Sequence, residues 1–74
     1  MECYGWYRGL VISAPDDMNR VEVKVPTISG NNSLGLAWPF DRRDAVEKGE
    51  GVWVMFAQGD PRRPIWAGRW IDNG

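Results

Sequence analysis

The stretch GVWVMFA, residues 51–57, decides the fold of this 74-residue chain. Every second residue from Val52 to Phe56 points to one face of a β-strand, and Trp53 and Met55 point to the other. The valine and phenylalanine set suits the interior of a small barrel. Because a barrel of this size has only one interior, the apolar face formed by Trp53 and Met55 must be covered in some other way.

Four further runs of β-forming residues flank this stretch, separated by turns rich in glycine, proline, asparagine and aspartate. Residues 20–25 show the clearest alternation, with valines on one face and charged residues on the other. The segment 41–49 is a helical candidate of one or two turns, with Asp41 or Asp44 as a cap and Gly49 as a stop. The predicted strands are residues 4–13, 20–25, 34–38, 51–57 and 64–71.

This pattern predicts an all-β fold. Five short strands, a helical turn at about 41–49 and glycines inside the first and last strands favour a small five-stranded Greek-key barrel of the OB type. An SH3-like barrel is the structural alternative, since the two folds share this pattern. Composition does not shift along the sequence, so residues 1–74 are expected to form a single OB-fold domain.

Composition argues against most kinds of catalytic site. The chain has no histidine and one cysteine, Cys3, so neither a tetrahedral zinc site nor a Ser-His-Asp arrangement is expected. The carboxylates fall almost wholly in predicted turns, where such residues usually hydrogen-bond their own backbone. We therefore expect no enzyme activity, no cofactor and no metal.

The charge balance argues against nucleic acid as the obvious partner. Nine lysines and arginines stand against ten acidic residues, which leaves a net charge of −1. No apolar run approaches the length of a membrane span, and the first residues lack the pattern of a signal peptide. The default expectation is a soluble, unexported protein without a membrane partner.

The tryptophans are the most informative residues. Five are present, at Trp6, Trp38, Trp53, Trp66 and Trp70. In the last predicted strand Ile65, Ala67 and Ile71 alternate with Trp66 and Trp70, and this second set is expected to lie outside the barrel. Either the N-terminal aromatics or the 39–49 loop cover the outward tryptophans, or another protein does, since tryptophan and arginine are favoured at interfaces. The candidate subunit-interface residues are Trp53, Met55, Arg62, Arg63 and Trp66.

Several segments carry a family resemblance through their order and spacing. They are GLVIS (9–13), NRVEVKVP (19–26), Trp38-Pro39, GVWVMF (51–56) with Gly59-Asp60, and PIWAG (64–68). Together they resemble the OB-fold domain of phage baseplate and tail-hub spike proteins, over about residues 9–70. The glycine that this family places before Arg20 is here Asn19, which also tolerates a left-handed backbone. Spike proteins continue into a lysozyme domain or a β-helical needle, and this chain is expected to correspond to the OB module alone.

The resemblance implies a structural role. The domain would be a virion structural protein, made in the host cytoplasm, that packs as a multimer against hub, spike or tail-tube subunits in the tail baseplate. The alternative is an OB module that binds single-stranded nucleic acid or an oligosaccharide in a groove lined by tryptophans. A third possibility is an SH3-like adaptor that recognises a proline-rich segment.

Overall fold

The computed structural model describes residues 2–70, which contain a closed five-stranded barrel with the strand order β1-β2-β3-β5-β4. Neighbouring strands are antiparallel, except that β3 and β5 run parallel. The strands are β1 (Tyr7–Val11), β2 (Val21–Lys24), β3 (Leu36–Pro39), β4 (Gly51–Phe56) and β5 (Pro64–Arg69). The predicted all-β, OB-type barrel is therefore confirmed, and Ile71 lies outside the described residues.

The helical turn predicted at 41–49 is wrong. The segment forms two successive turns, closed by backbone hydrogen bonds from Asp44 to Asp41 and from Glu50 to Glu47. The Asp41 carboxylate also accepts the backbone N–H of Arg43 at 2.9 Å, and this local bond competes with helix formation. A single helical turn, α1, lies instead at Pro26–Ser29, where proline occupies the first turn.

The core is built mainly from valine. The alternation predicted for residues 20–25 and 51–57 is confirmed, because the inward residues of β2 and β4 are buried and their neighbours are less so. Cys3 and Val46 join the core from outside the strands, and Val46 draws the middle of the 41–49 segment onto the barrel. The buried apolar residues are Cys3, Val11, Val21, Val23, Val25, Ala37, Val46, Val52, Val54, Phe56 and Trp66.

Trp66 lies inside the barrel, so its prediction as an interface residue is wrong. It is 0 % exposed and pairs across the sheet with Val54, whose side chain points inward. Residues paired directly across two strands share a face, so the register alone places the indole in the core. Its N–H donates a hydrogen bond to the backbone oxygen of Asn19 at 3.0 Å. The outward residues of β5 are Ile65 and Ala67, the reverse of the sequence prediction.

Asn19 adopts the left-handed backbone that asparagine tolerates, with φ of 60°. Its side-chain amide donates to the backbone oxygen of Asp44 at 2.8 Å, while its own carbonyl accepts the Trp66 indole. The residue therefore ties the β1–β2 turn both to the core and to the 41–49 segment.

Replacing Asn19 separates the contribution of its amide hydrogen bond from that of its left-handed backbone. Asn19→Ala should lower the free energy of unfolding by about 2 kcal/mol. The variant loses the amide hydrogen bond, and alanine tolerates a positive φ less well than asparagine does. Asn19→Gly should lose about 1 kcal/mol, because only the hydrogen bond disappears. Urea denaturation of both variants measures the difference. Equal losses would show that the left-handed backbone contributes nothing.

Candidate interaction face

Pairing between strands lines up the outward side chains in two rows. In the first row Arg8 on β1 faces Trp53 on β4, and Trp53 faces Ala67 on β5. Phe40 extends this row beyond β3, because its backbone N–H donates to the oxygen of Trp66, next to Ala67. Both rows cross the β4–β5–β3 wall of the barrel, so side chains distant in the sequence become neighbours.

The second row runs parallel to the first. Met55 on β4 faces Ile65 on β5, and Ile65 faces Trp38 on β3. We call the apolar surface formed by both rows and by Trp6 the outer face. Its members are Trp6, Trp38, Phe40, Trp53, Met55, Ile65 and Ala67. Trp53 and Met55 thus lie outward on β4, as the alternation of residues 51–57 predicts.

One end of the outer face is concave. A groove of about 420 Å³ is lined by Trp6, Phe40, Trp53 and Ala67, and we call it the aromatic groove. The rings of Trp6 and Phe40 meet edge to face, with centroids 6.4 Å apart. Trp6 remains 52 % exposed, Phe40 67 % and Trp53 36 %. The N-terminal segment and the loop after β3 therefore contribute walls to the groove but do not cover Trp53.

A second cleft, of about 390 Å³, adjoins the other row of the outer face. It is lined by Leu36, Trp38, Ala57, Arg62, Arg63, Pro64 and Ile65. Trp38 is 49 % exposed here, and both arginines of the β4–β5 turn are exposed at the rim. Four of the predicted interface residues, Trp53, Met55, Arg62 and Arg63, therefore lie on or beside the outer face.

Sequence reasoning did not assign Trp38, Phe40 and Ile65 to this face. The spacing of two residues between Trp38 and Phe40 is a signal that they share a face, since a strand has period two. No comparable signal exists for Ile65, because the last predicted strand is apolar on both sides.

Ion pairs neutralise most arginines around the outer face. Asp60 is shared by Arg62 at 3.1 Å and Arg63 at 4.0 Å. The hydrogen bonds donated by the Arg62 side chain, and then by its backbone N–H, hold the pKa of Asp60 below the ordinary value of 3.8. Arg20 pairs with Asp16 at 2.8 Å and also stacks 4.9 Å from the centroid of Trp38.

Arg8 occupies a different environment. Its guanidinium carbon lies 5.8 Å from the ring centroid of Trp53 and 5.0 Å from that of Trp70. The Trp70 indole in turn packs on the backbone at Gly51 and donates to the oxygen of Gly9 at 3.3 Å. Any side chain at Gly51 would displace this ring, so the glycine is required for the packing that supports Arg8.

Acid should destabilise the domain through its paired carboxylates. Hydrogen bonds lower the pKa of four carboxylates below their ordinary values, namely Asp16, Asp41, Glu50 and Asp60. A carboxylate whose pKa is lower in the folded state stabilises the fold above its unfolded pKa, and this contribution disappears as pH falls through the folded value. The chain has no histidine to titrate near neutrality. The urea midpoint should therefore stay level from about pH 8 to about pH 5 and fall below about pH 4.

Urea titrations across this range test the expectation, with Asp60→Asn as the matched variant. That variant lacks the shared carboxylate, so its midpoint should fall less steeply in acid than that of the wild type. A midpoint that already declines between pH 7 and about pH 5 would show that another group controls the pH dependence.

No protein-family model matches the chain, and no curated protein is significantly similar to it. Function must therefore be inferred from the fold and the outer face. Within residues 2–70 no helix has the length and apolar character needed to cross a membrane. Across the same residues, no group of three or more His, Cys, Asp and Glu side chains is placed to hold a metal ion.

Proposed function

We propose that the chain is a non-catalytic OB-type module that packs against neighbouring protein subunits through the outer face. The assembly would be the tail baseplate or central hub of a phage, or a related contractile injection machine. The observation that carries the proposal is the set of partly exposed aromatic side chains on the outer face, namely Trp6, Trp38, Phe40 and Trp53. The resemblance of residues 9–70 to phage tail-hub OB domains supports the particular assembly.

The size of the exposed apolar surface supports docking. Aromatic side chains each offer roughly 150–250 Å² for burial, so the fractions exposed at Trp6, Phe40 and Trp53 leave roughly 300 Å² open. Trp38, at 49 % exposure, raises the total to roughly 400 Å². Apolar patches of several hundred Å² on a small protein commonly mark a site of interaction. A protein partner would remove this surface from water.

The charge and position of the outer face favour protein over nucleic acid. OB folds usually bind oligonucleotides on the β2–β3 face, between the β1–β2 and β4–β5 loops. Here the outward residues of β2 are Glu22 and Lys24, and the β1–β2 loop carries Asp16 and Asp17. These acids would repel phosphates, and most of the aromatic surface lies on a different wall of the barrel.

A single-strand binding function remains the second candidate because of Trp38. This ring lies beside β2, is stacked by Arg20 and shares its cleft with Arg62 and Arg63. Base stacking on an exposed ring flanked by arginines is typical of single-strand binders. The carboxylates paired with these arginines, Asp16 and Asp60, oppose it.

Co-expression distinguishes these functions. The tagged chain would be produced together with the products of the genes that flank its own gene, then purified in high salt. We expect a stoichiometric complex with a tail-tube, sheath, hub or wedge protein. Copurification with nucleic acid alone, released by salt, would favour the second candidate. Flanking genes unrelated to tails, with no complex formed, would contradict the proposed assembly.

A further inference from the structure

We infer that the aromatic groove receives an acidic segment of the partner protein, with one large apolar side chain against Trp53 and the Trp6–Phe40 pair and a carboxylate on Arg8. This inference rests on the proposed function and deepens it by naming the chemistry of the partner.

The groove is too small to support a stable symmetric dimer. Its three aromatic side chains expose roughly 300 Å², whereas a specific interface buries about 800 Å² on each partner. Its walls include the edge-to-face pair of Trp6 and Phe40, so the site is a groove rather than a flat patch. A concave site of this area fits an inserted side chain, which would occupy the position typical of an interface hot spot.

Arg8 supplies a cation at the end of the row that crosses the groove. It is exposed, and its guanidinium lies near the rings of Trp53 and Trp70. Stacking uses the face of a guanidinium and leaves its N–H edge for a carboxylate. Within residues 2–70 Arg8 forms no ion pair, whereas Arg20, Arg43, Arg62, Arg63 and Arg69 each contact an acid.

Charge complementarity therefore selects an acidic partner. A carboxylate beside the inserted side chain would form a charge-assisted, bidentate pair with Arg8, in which the guanidinium is held in place by the rings. A basic segment would be repelled by the same group.

Nucleic acid fits the groove less well. A single strand carries a charge on every phosphate and needs a continuous cationic track beside the stacking rings. Among the described residues Arg8 is the cation placed against a ring of the aromatic groove, while Asp60 and Asp16 pair with the arginines along the neighbouring row. An isolated charge beside an apolar pocket matches a single carboxylate on a protein segment.

The test is selection of a displayed library of random peptides against the complete chain, followed by affinity measurement with the winning synthetic peptides. We expect sequences in which aspartate or glutamate lies near tryptophan, phenylalanine or leucine. Arg8→Gln should weaken these peptides about ten-fold or more. Lys24→Gln removes the same charge from β2, which pairs with neither β4 nor β5, and should change affinity less than about two-fold.

Peptides that require Trp53 but lack acidic residues, and that bind the Arg8→Gln variant as tightly as the wild type, would overturn the inference while leaving subunit docking in place. If no selected peptide requires Trp53, the inference fails, and the co-expression experiment decides the proposed function separately. Salt-sensitive binding of oligothymidylate that displaces the peptides would replace the protein partner with nucleic acid.

A second variant checks whether Arg8 is available to a partner. Asp72 follows Trp70 by two positions in the sequence, and Asp72→Asn tests whether its carboxylate competes for Arg8. Asp72→Asn should leave the affinity for the acidic peptides within about two-fold of the wild type. A rise of about ten-fold or more would show that the chain already occupies Arg8, and would overturn the inference.

Discussion

Trp66→Ala is expected to lower the free energy of unfolding by about 3–5 kcal/mol. The indole is fully buried opposite Val54, and removing it would leave a large cavity and an unpaired carbonyl at Asn19. A domain of 74 residues is typically stable by roughly 4–11 kcal/mol, so this variant should lie close to complete unfolding. Urea or thermal denaturation measures the effect.

Two matched variants separate the effect of burying the indole from the effect of its hydrogen bond to Asn19. Trp53→Ala removes the same side chain from the outward face of β4, where it is 36 % exposed, and should cost about 1–2 kcal/mol, less than Trp66→Ala. Trp66→Phe keeps an aromatic ring in the core but loses the hydrogen bond to Asn19, for a cost of about 1–3 kcal/mol. If Trp53→Ala destabilises as strongly as Trp66→Ala, the assignment of β4 and β5 faces is incorrect.

Trp53→Glu is expected to weaken binding of the partner subunit by about 100-fold or more while the barrel remains folded. Trp53 forms the floor of the aromatic groove, and a charge buried there on docking would have to lose its hydration. In the free domain the site is 36 % exposed and faces Arg8 across the strand pair. The new carboxylate would therefore be hydrated and would lie beside a cation.

The affinity of each variant for the partner found by co-expression measures this effect, with circular dichroism as the check on folding. Met18→Glu is the control, because Met18 is 50 % exposed in the β1–β2 turn and lines neither the aromatic groove nor the second cleft. Its affinity should equal that of the wild type. A folded Trp53→Glu variant that binds normally would exclude the outer face as the interface. Loss of the fold would instead show that Trp53 is chiefly a structural residue.

Strand β4 illustrates how far local pattern alone predicts the fold. Its two sets of alternating residues differ in bulk, and the alternation assigns the smaller set, with Val52 and Val54, to the barrel interior. The same alternation places Trp53 and Met55 outward. Strand β5 offers no such contrast because both of its sets are apolar, and the sequence prediction therefore put Trp66 on the wrong face.

The helical turn predicted at 41–49 is wrong for a different reason. Its charged residues and final glycine are compatible with a helix, but the Asp41 and Glu50 side chains accept backbone N–H groups in local turns. Burial of Val46 then fixes the segment against the barrel. Side-chain hydrogen bonds of this kind compete with helix formation within a few residues, and sequence pattern does not show which will win.

Amino-acid order by itself determined the number of strands, the alternation along most of them and the scarcity of catalytic groups. These properties depend on neighbours within a few positions. Only tertiary structure decided that Trp66 enters the core and that Trp6, Phe40 and Trp53 line one groove beside Arg8. An alternating strand offers two faces, and the pairing register with distant strands determines which of them is buried.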